Sequence, residues 1–219
     1  APVATEPRPI GCSLATCPGK ANIIHVYGMA SEGEFVNTLN DVIRKNGAMD
    51  TLTSDRAQVE VSQKVKDILR AFVIADWQSE PHQQQQNYSE RVYQDVKKNT
   101  NWVLNWSGAP PQAWMWAFEY VVFIMNRTAR ETLNWRTPFE ALFGQTPDVS
   151  VMMTFVFWEL CYIKNYQDNG GNFPSESDEI PVRVIGFAED VGHSCTYIVY
   201  NEATRKEMVL CHRNCSDLL

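Results

Sequence analysis

Residues 50–77 have the sequence DTLTSDRAQVEVSQKVKDILRAFVIADW, and this stretch decides the predicted fold. Residues 50–55 predict a short strand that ends in an acid, and residues 72–77 predict another short strand. Between them, apolar residues at helical spacing predict an amphipathic helix over residues 59–72. The order strand, helix, strand favours parallel pairing of the two strands, with the helix as the crossover between them.

The same pattern extends to both sides of this stretch. Upstream, residues 22–27 predict a strand, and apolar residues at helical spacing from Phe35 to Ile43 predict a helix that ends at Gly47. Downstream, three helices are predicted in succession, over residues 87–106, 111–126 and 137–143. The predicted fold class is therefore α/β, a layer architecture with parallel strand pairing.

After Pro147 the sequence changes to short runs of β-branched and aromatic residues between turns, which predicts a small antiparallel β module at the C-terminus. Its strands are expected at residues 155–158, 161–163, 182–187, 196–200 and 207–210. The predicted organisation is an extended, proline-rich leader over residues 1–20, an α/β domain over 21–148 and the β module over 149–219.

The 219 residues are 44% hydrophobic and 21% charged, which is typical of a globular protein and excludes a disordered or collagen-like chain. The formal net charge is −7, and residues 159–190 alone hold seven acids and two bases. This balance argues against a free-standing nucleic-acid binder with a broad basic face, although it leaves room for a local basic groove. The acidic segment 168–190 is a candidate partner surface.

Six cysteines are too few for a disulfide scaffold and predict a reduced, intracellular protein. Two close pairs of cysteines at opposite ends of the chain leave a zinc site open as an alternative.

The longest apolar run, residues 113–125, spans about 20 Å as a helix, so no membrane segment is predicted. No phosphate-binding glycine loop of the G-x-x-x-x-G-K-S/T or G-x-G-x-x-G type occurs, which argues against an unrelated nucleotide-binding enzyme.

Two acids stand out as candidate metal ligands. Asp55 ends a predicted strand, and Glu90 lies 35 positions later in the first turn of the long predicted helix. Magnesium prefers hard oxygen ligands, commonly one or two carboxylates together with phosphate oxygens of a substrate. The spacing alone favours the simpler alternative, an aspartate that caps a helix and a solvated glutamate.

The residues around these two acids resemble a known family. Residues 53–57, TSDRA, and residues 81–91, PHQQQQNYSER, are similar to the segments that carry the second catalytic aspartate and the catalytic glutamate in the integrase core of copia-type LTR retrotransposons. Further similar segments follow in the same order, at residues 111–117, 126–127, 135–140, 144–148, 184–189 and 196–200.

The resemblance implies an RNase H-like α/β fold, a mixed sheet with helices on both faces. It also implies DNA strand transfer by transesterification, with Asp55 and Glu90 as ligands of Mg²⁺ or Mn²⁺. It also implies DNA as a partner, both the retroelement ends and the target, a homo-oligomer, and a location in the nucleus or in a cytoplasmic particle. The residues predicted to contact DNA are polar or basic and lie close to Glu90 in the sequence: Gln86, Asn87, Arg91, Lys97 and Lys98.

One catalytic acid of the family has no counterpart in this sequence. The family carries a first aspartate on its opening strand, well before the second, whereas no Asp precedes Asp41 here and Asp41 falls in a predicted helix. Two hypotheses therefore stay open. The chain is an integrase core with strand-transfer ancestry, or it is a decayed or repurposed relative that acts as a structural or interaction protein without catalysis.

The seven tryptophans raise the question of base stacking. Trp102 and Trp106 are one helical turn apart, and Trp114 and Trp116 lie in an apolar helix. Such spacing favours packing in the core for most of these residues.

Overall fold

In the computed structural model, the described residues are 11–16, 21–29, 31–54, 62–78, 88–164, 179–189, 191, 195–211 and 215–216. The helices are α1 (Phe35–Asn46), α2 (Gln63–Ala71), α3 (Tyr88–Ser107), α4 (Trp114–Arg127) and α5 (Pro138–Phe143). The strands are β1 (Gly11–Thr16), β2 (Ile24–Met29), β3 (Thr51–Ser54), β4 (Ala75–Gln78), β5 (Leu160–Lys164), β6 (Glu179–Phe187), β7 (Thr196–Asn201), β8 (Lys206–Cys211) and β9 (Cys215–Ser216). The chain forms two compact units, the first from Ala1–Val96 with Thr128–Gln145 and the second from Lys97–Arg127 with Thr146–Leu219.

In the first unit, β3 and β4 pair in parallel, and α2 connects them. The register runs from Thr51 opposite Ala75 to Ser54 opposite Gln78. This is the strand–helix–strand crossover that the sequence predicts, and the α/β class is confirmed. Because the strands are parallel, their carboxyl ends lie at the same edge of this two-stranded sheet.

The core of the first unit lies between α1, α2 and the start of β4. Its buried members are aliphatic: Leu39, Ile43, Val65, Leu69 and Ile74. Leu39 and Ile43 are one turn apart on α1, and Val65 and Leu69 are one turn apart on α2, so each helix presents one apolar stripe. Full burial of a side chain of this size contributes about 1.5–3 kcal/mol to stability, which makes this cluster the main support of the crossover.

Part of the segment predicted as an extended leader forms a strand. β1 pairs with β2 in antiparallel register, from Gly11 opposite Met29 to Thr16 opposite Ile24. Within the described residues this pair is a two-stranded sheet of its own, without hydrogen-bonded continuity to β3 and β4. The sequence of β1 lacks an alternating apolar pattern, so only its pairing with β2 reveals it as a strand.

The long helix α3 confirms the helix predicted over residues 87–106. Its buried side chains are Val92, Val96, Thr100 and Val103, spaced by four, four and three residues. They form one continuous stripe along the helix, and the remaining faces carry mostly exposed residues.

The second unit contains a five-stranded antiparallel sheet with the strand order β8-β7-β6-β5-β9, which confirms the predicted β module. The strand predicted at residues 155–158 is wrong. Phe157 and Trp158 form a turn in which Phe157 is 1% exposed and Trp158 has a φ of +66°. A left-handed residue interrupts an extended strand, although the Trp158 amide still donates to the Val184 carbonyl at 2.7 Å.

An aromatic face of α4 packs against this sheet. Trp116, Tyr120 and Phe123 are spaced by four and three residues, so they line one side of the helix. The Phe187 ring of β6 lies 5.1 Å from the Tyr120 ring and 4.4 Å from the Phe123 ring, and the Trp158 ring lies 6.3 Å from that of Trp116. Large apolar rings bury more area than any other side chains, so this face fixes α4 on the sheet.

The grouping of α4 with the β sheet differs from the predicted organisation, which divides the chain between residues 148 and 149. Contact with aromatic residues far along the chain, rather than sequence position, determines which unit α4 joins.

Across the described ranges, none of the helices combines the length and the apolar character that a bilayer crossing needs.

Candidate metal-binding and DNA-binding residues

The carboxyl ends of β3 and β4 define the edge at which a metal site is predicted. Ser54, the last residue of β3, is paired with Gln78, the last residue of β4. Asp55 is the next residue after Ser54, but it lies outside the described residues, as do Gln86 and Asn87. For these three, the assigned roles stay predictions.

Glu90 lies in the first turn of α3, as predicted, and is exposed to solvent. The positive end of the helix dipole favours a negative charge at this position. Arg91, Lys97 and Lys98 follow on the same helix and are also exposed. Lys97 is seven residues past Glu90, which corresponds to two helical turns and about 10 Å along the axis, so the two side chains leave the helix on the same side.

Among the residues that the structure describes, no group of three or more His, Cys, Asp or Glu side chains could hold a metal ion. Asp41, the earliest aspartate, lies in α1 and forms an ion pair with Arg44 at 3.1 Å. The exposed oxygens of Glu90 have the hard-donor chemistry that Mg²⁺ requires. The side chains of the four cysteines in the alternative zinc hypothesis lie outside the described part of the chain.

Two plant retrotransposon polyproteins are similar to this chain in sequence. The chain is 29% identical over 92 residues to the retrovirus-related Pol polyprotein from transposon RE2 of Arabidopsis thaliana, and 29% identical over 83 residues to that from transposon RE1 of the same plant. The matched stretches are 42% and 37% of this chain and 6% of each polyprotein. The predicted resemblance to copia-type Pol polyproteins is confirmed. No family model matches this chain.

Several retroviral integrase structures are similar to this chain. The catalytic core of HTLV-2 integrase, in a trimeric form with magnesium, gives a TM-score of 0.46 at 14% identity and covers 56% of this chain and 78% of that one. The catalytic core of BIV integrase gives 0.49 at 15% identity and covers 61% and 85%. The simian T-cell lymphotropic virus intasome with the PP2A subunit B56 gamma gives 0.46 at 10% identity and covers 95% and 80%.

Trp102 and Trp106 are surface residues, although core packing is predicted for most of the tryptophans. They are 64% and 60% exposed, and their rings stack on one another with centroids 5.9 Å apart and planes inclined by 4°. The helical periodicity of the sequence indicates this exposure, because neither tryptophan belongs to the buried stripe that contains Val96 and Val103.

A second titratable group lies on α4. Burial, with a smaller contribution from the Glu207 carboxylate, raises the pKa of Glu119 from 4.5 to about 7. The residue as a whole remains exposed, so water screens part of this effect. Glu207 also accepts a hydrogen bond from Trp116 Nε1 at 2.9 Å, which holds its carboxylate beside α4.

Proposed function

We propose that this chain is the catalytic-core part of a retrotransposon integrase, in which Asp55 and Glu90 bind Mg²⁺ or Mn²⁺ for DNA strand transfer. The parallel register of β3 and β4 supports this most directly. Asp55 follows the end of β3, and Ser54 before it pairs with Gln78 at the end of β4. Only nine residues, 79–87, separate that edge from α3, whose first turn carries Glu90.

The chemistry asks little of the protein beyond positioning and charge. In strand transfer, a 3′-hydroxyl of one DNA end attacks a target phosphodiester; a new P–O bond forms, an existing P–O bond breaks, and the hydroxyl proton ends on the released 3′ oxygen. A bound divalent cation would neutralise charge that builds on the phosphate oxygens. Asp55 and Glu90 would orient that cation, because carboxylate oxygens are its preferred protein ligands.

The basic residues of α3 support the choice of DNA as the substrate. Arg91, Lys97 and Lys98 are exposed on the helix that begins with Glu90, and cationic side chains supply most phosphate contacts in protein–DNA complexes. Gln86 and Asn87 precede the helix and would add hydrogen-bond donors. Assembly as a homo-oligomer around the DNA ends belongs to the same proposal.

A second candidate function is that of a non-catalytic interaction protein with an integrase-like fold. The net charge of −7 favours it, because contacts between basic side chains and phosphates normally dominate the affinity of a protein for DNA.

Metal binding tests the proposal. Titration of the whole chain with Mn²⁺ in a calorimeter should show binding. Asp55→Asn and Glu90→Gln should each lower the Mn²⁺ affinity by at least about 10- to 100-fold, because loss of a residue that only supports a metal ligand already has an effect of this size. Asp95→Asn is the matched control, because Asp95 is exposed on the same helix and takes no part in the proposed site. It should bind Mn²⁺ like the unmodified chain.

Two results would overturn the catalytic proposal. Equal Mn²⁺ affinity in the control and both site variants would show that Asp55 and Glu90 are not the ligands. Binding of duplex DNA that weakens steeply with salt, in a chain that takes up no Mn²⁺, would establish the non-catalytic alternative.

A further inference from the structure

Among the described side chains of α3, the stacked pair Trp102–Trp106 is the most exposed aromatic feature. Each indole keeps about two thirds of its surface in water, and the near-parallel rings stack with their centroids 5.9 Å apart. Burial of large apolar rings is strongly favourable, so two adjacent indoles on one solvated helix face point to a ligand that covers them.

The position of the pair on the helix explains why folding leaves it uncovered. The buried stripe of α3 passes through Val96, Thr100 and Val103, and Trp102 and Trp106 lie to one side of it. Lys98 precedes Trp102 by one turn, so Lys98, Trp102 and Trp106 form a single ridge at intervals of four residues.

The charge of this ridge favours an anionic partner. Residues 96–107 contain two lysines and no acid, in a chain whose overall charge is −7. The nearest acid on the helix is Asp95, two turns before Trp102. The exposed amides of Asn101 and Asn105 add hydrogen-bonding groups to the same part of the helix.

The size of the pair argues against a second copy of the chain as the partner. Two indoles at this exposure offer on the order of 300 Å², whereas a specific protein–protein interface takes roughly 800 Å² from each partner. A nucleic-acid base needs only a ring face, and its phosphate needs only one cation.

We propose that the ridge Lys98–Trp102–Trp106 binds single-stranded nucleic acid, with unpaired bases stacked on the two indoles and a phosphate at Lys98. The shared chemistry of the ligand is an unpaired base on an anionic backbone, whether DNA or RNA. This binding needs no metal ion, so it stands independently of the role proposed for Asp55 and Glu90.

The test is fluorescence anisotropy of labelled oligo-dT and oligo-rU with the whole chain, in a chelator that removes divalent cations. Trp102→Ala and Trp106→Ala should each weaken binding by about 5- to 100-fold, the range that loss of one stacked base produces. Trp102→Phe and Trp106→Phe keep an aromatic face and should retain most of the affinity. Lys98→Gln should reduce the slope of the logarithm of the binding constant against the logarithm of the salt concentration by about one, the effect of one lost phosphate contact. Lys206→Gln should leave this slope unchanged.

Trp135→Gly is the matched control, because Trp135 is 72% exposed but lies outside α3. It should bind both oligonucleotides like the unmodified chain, and circular dichroism verifies that all variants fold. Absence of binding to either oligonucleotide, or equal losses in Trp135→Gly and the ridge variants, would overturn the proposal. So would a concentration-dependent dimer that Trp102→Ala abolishes, because a second copy would then be the partner.

Discussion

Trp116 Nε1 donates a hydrogen bond of 2.9 Å to Glu207 Oε1 and thereby joins α4 to β8 across 91 positions of the sequence. The same indole ring lies 4.8 Å from the ring of Tyr200 on β7. One side chain of α4 is therefore held at two points, its polar edge on β8 and its ring on β7. Because a hydrogen bond is directional, the bond from Trp116 to Glu207 restrains rotation of α4 on the sheet more than ring stacking alone does.

Replacement of Trp116 by phenylalanine should remove the hydrogen bond and keep much of the ring contact. We expect Trp116→Phe to lower the free energy of unfolding by about 1 kcal/mol, since the lost partner is charged but solvent can reach Glu207. Urea denaturation measures this change. Trp106→Phe, on the exposed ridge, should shift the free energy by no more than about 0.5 kcal/mol, and equal losses would contradict the assigned role of the bond.

Glu119 makes stability depend on pH. Because its pKa is raised from 4.5 to about 7, the folded chain holds more protons than the unfolded chain between these values. The stability that this group contributes is present below pH 4.5 and is lost as the pH rises through about 7. Glu119→Gln should therefore melt at a higher temperature than the unmodified chain at pH 8 and show little difference at pH 4.5. A gain of equal size at both pH values would show that the effect is not a titration.

Trp135 adopts a backbone conformation that favours glycine. Asn134 and Trp135 have φ values of +55° and +63°, in a turn closed by the bridge between Arg130 and Arg136. A left-handed conformation costs a non-glycine residue about 1–2 kcal/mol, and a 72% exposed side chain recovers little of it through packing. We expect Trp135→Gly to raise the free energy of unfolding by about 1 kcal/mol in urea. A loss of stability would instead indicate that the indole packs in solution.

Tyr197 anchors the sheet of the second unit through its hydroxyl. The side chain is fully buried, and its hydroxyl donates to the Val151 carbonyl at 2.8 Å. Tyr197→Phe would leave that carbonyl without this donor, at a cost of about 1–3 kcal/mol. Thermal denaturation should show the loss, whereas Tyr200→Phe, at a partly exposed position, should change the melting temperature much less.

Sequence reasoning succeeded where a local signal carries the information. The crossover from β3 through α2 to β4 was predictable because strand and helix periods alternate within 28 residues, 51–78. Gly47, with a φ of +84°, ends α1 as predicted, and Glu90 lies in the first turn of α3. Each of these depends on residues close together in the chain.

Errors occurred where distant residues decide the structure. Residues 155–158 have the composition of a strand, but Phe157 and Trp158 form a turn whose rings pack against Tyr120 and Trp116 of α4, which only the fold of the second unit can impose. β1 becomes a strand through its pairing with β2. The metal site is predictable only in part, since Glu90 follows from helix position whereas any convergence with Asp55 depends on the tertiary structure.

The interleaving of the two units along the chain governs how the protein can be divided. A fragment that stops at residue 148 retains α4 but lacks the strands that cover Trp116, Tyr120 and Phe123. Three uncovered rings on one helix form an exposed apolar patch, so such a fragment should aggregate on expression. The β strands expressed alone would carry the complementary defect, an aromatic surface around Phe187 that lacks its helix. Two soluble halves require co-expression, because no single cut separates one folded unit from the other.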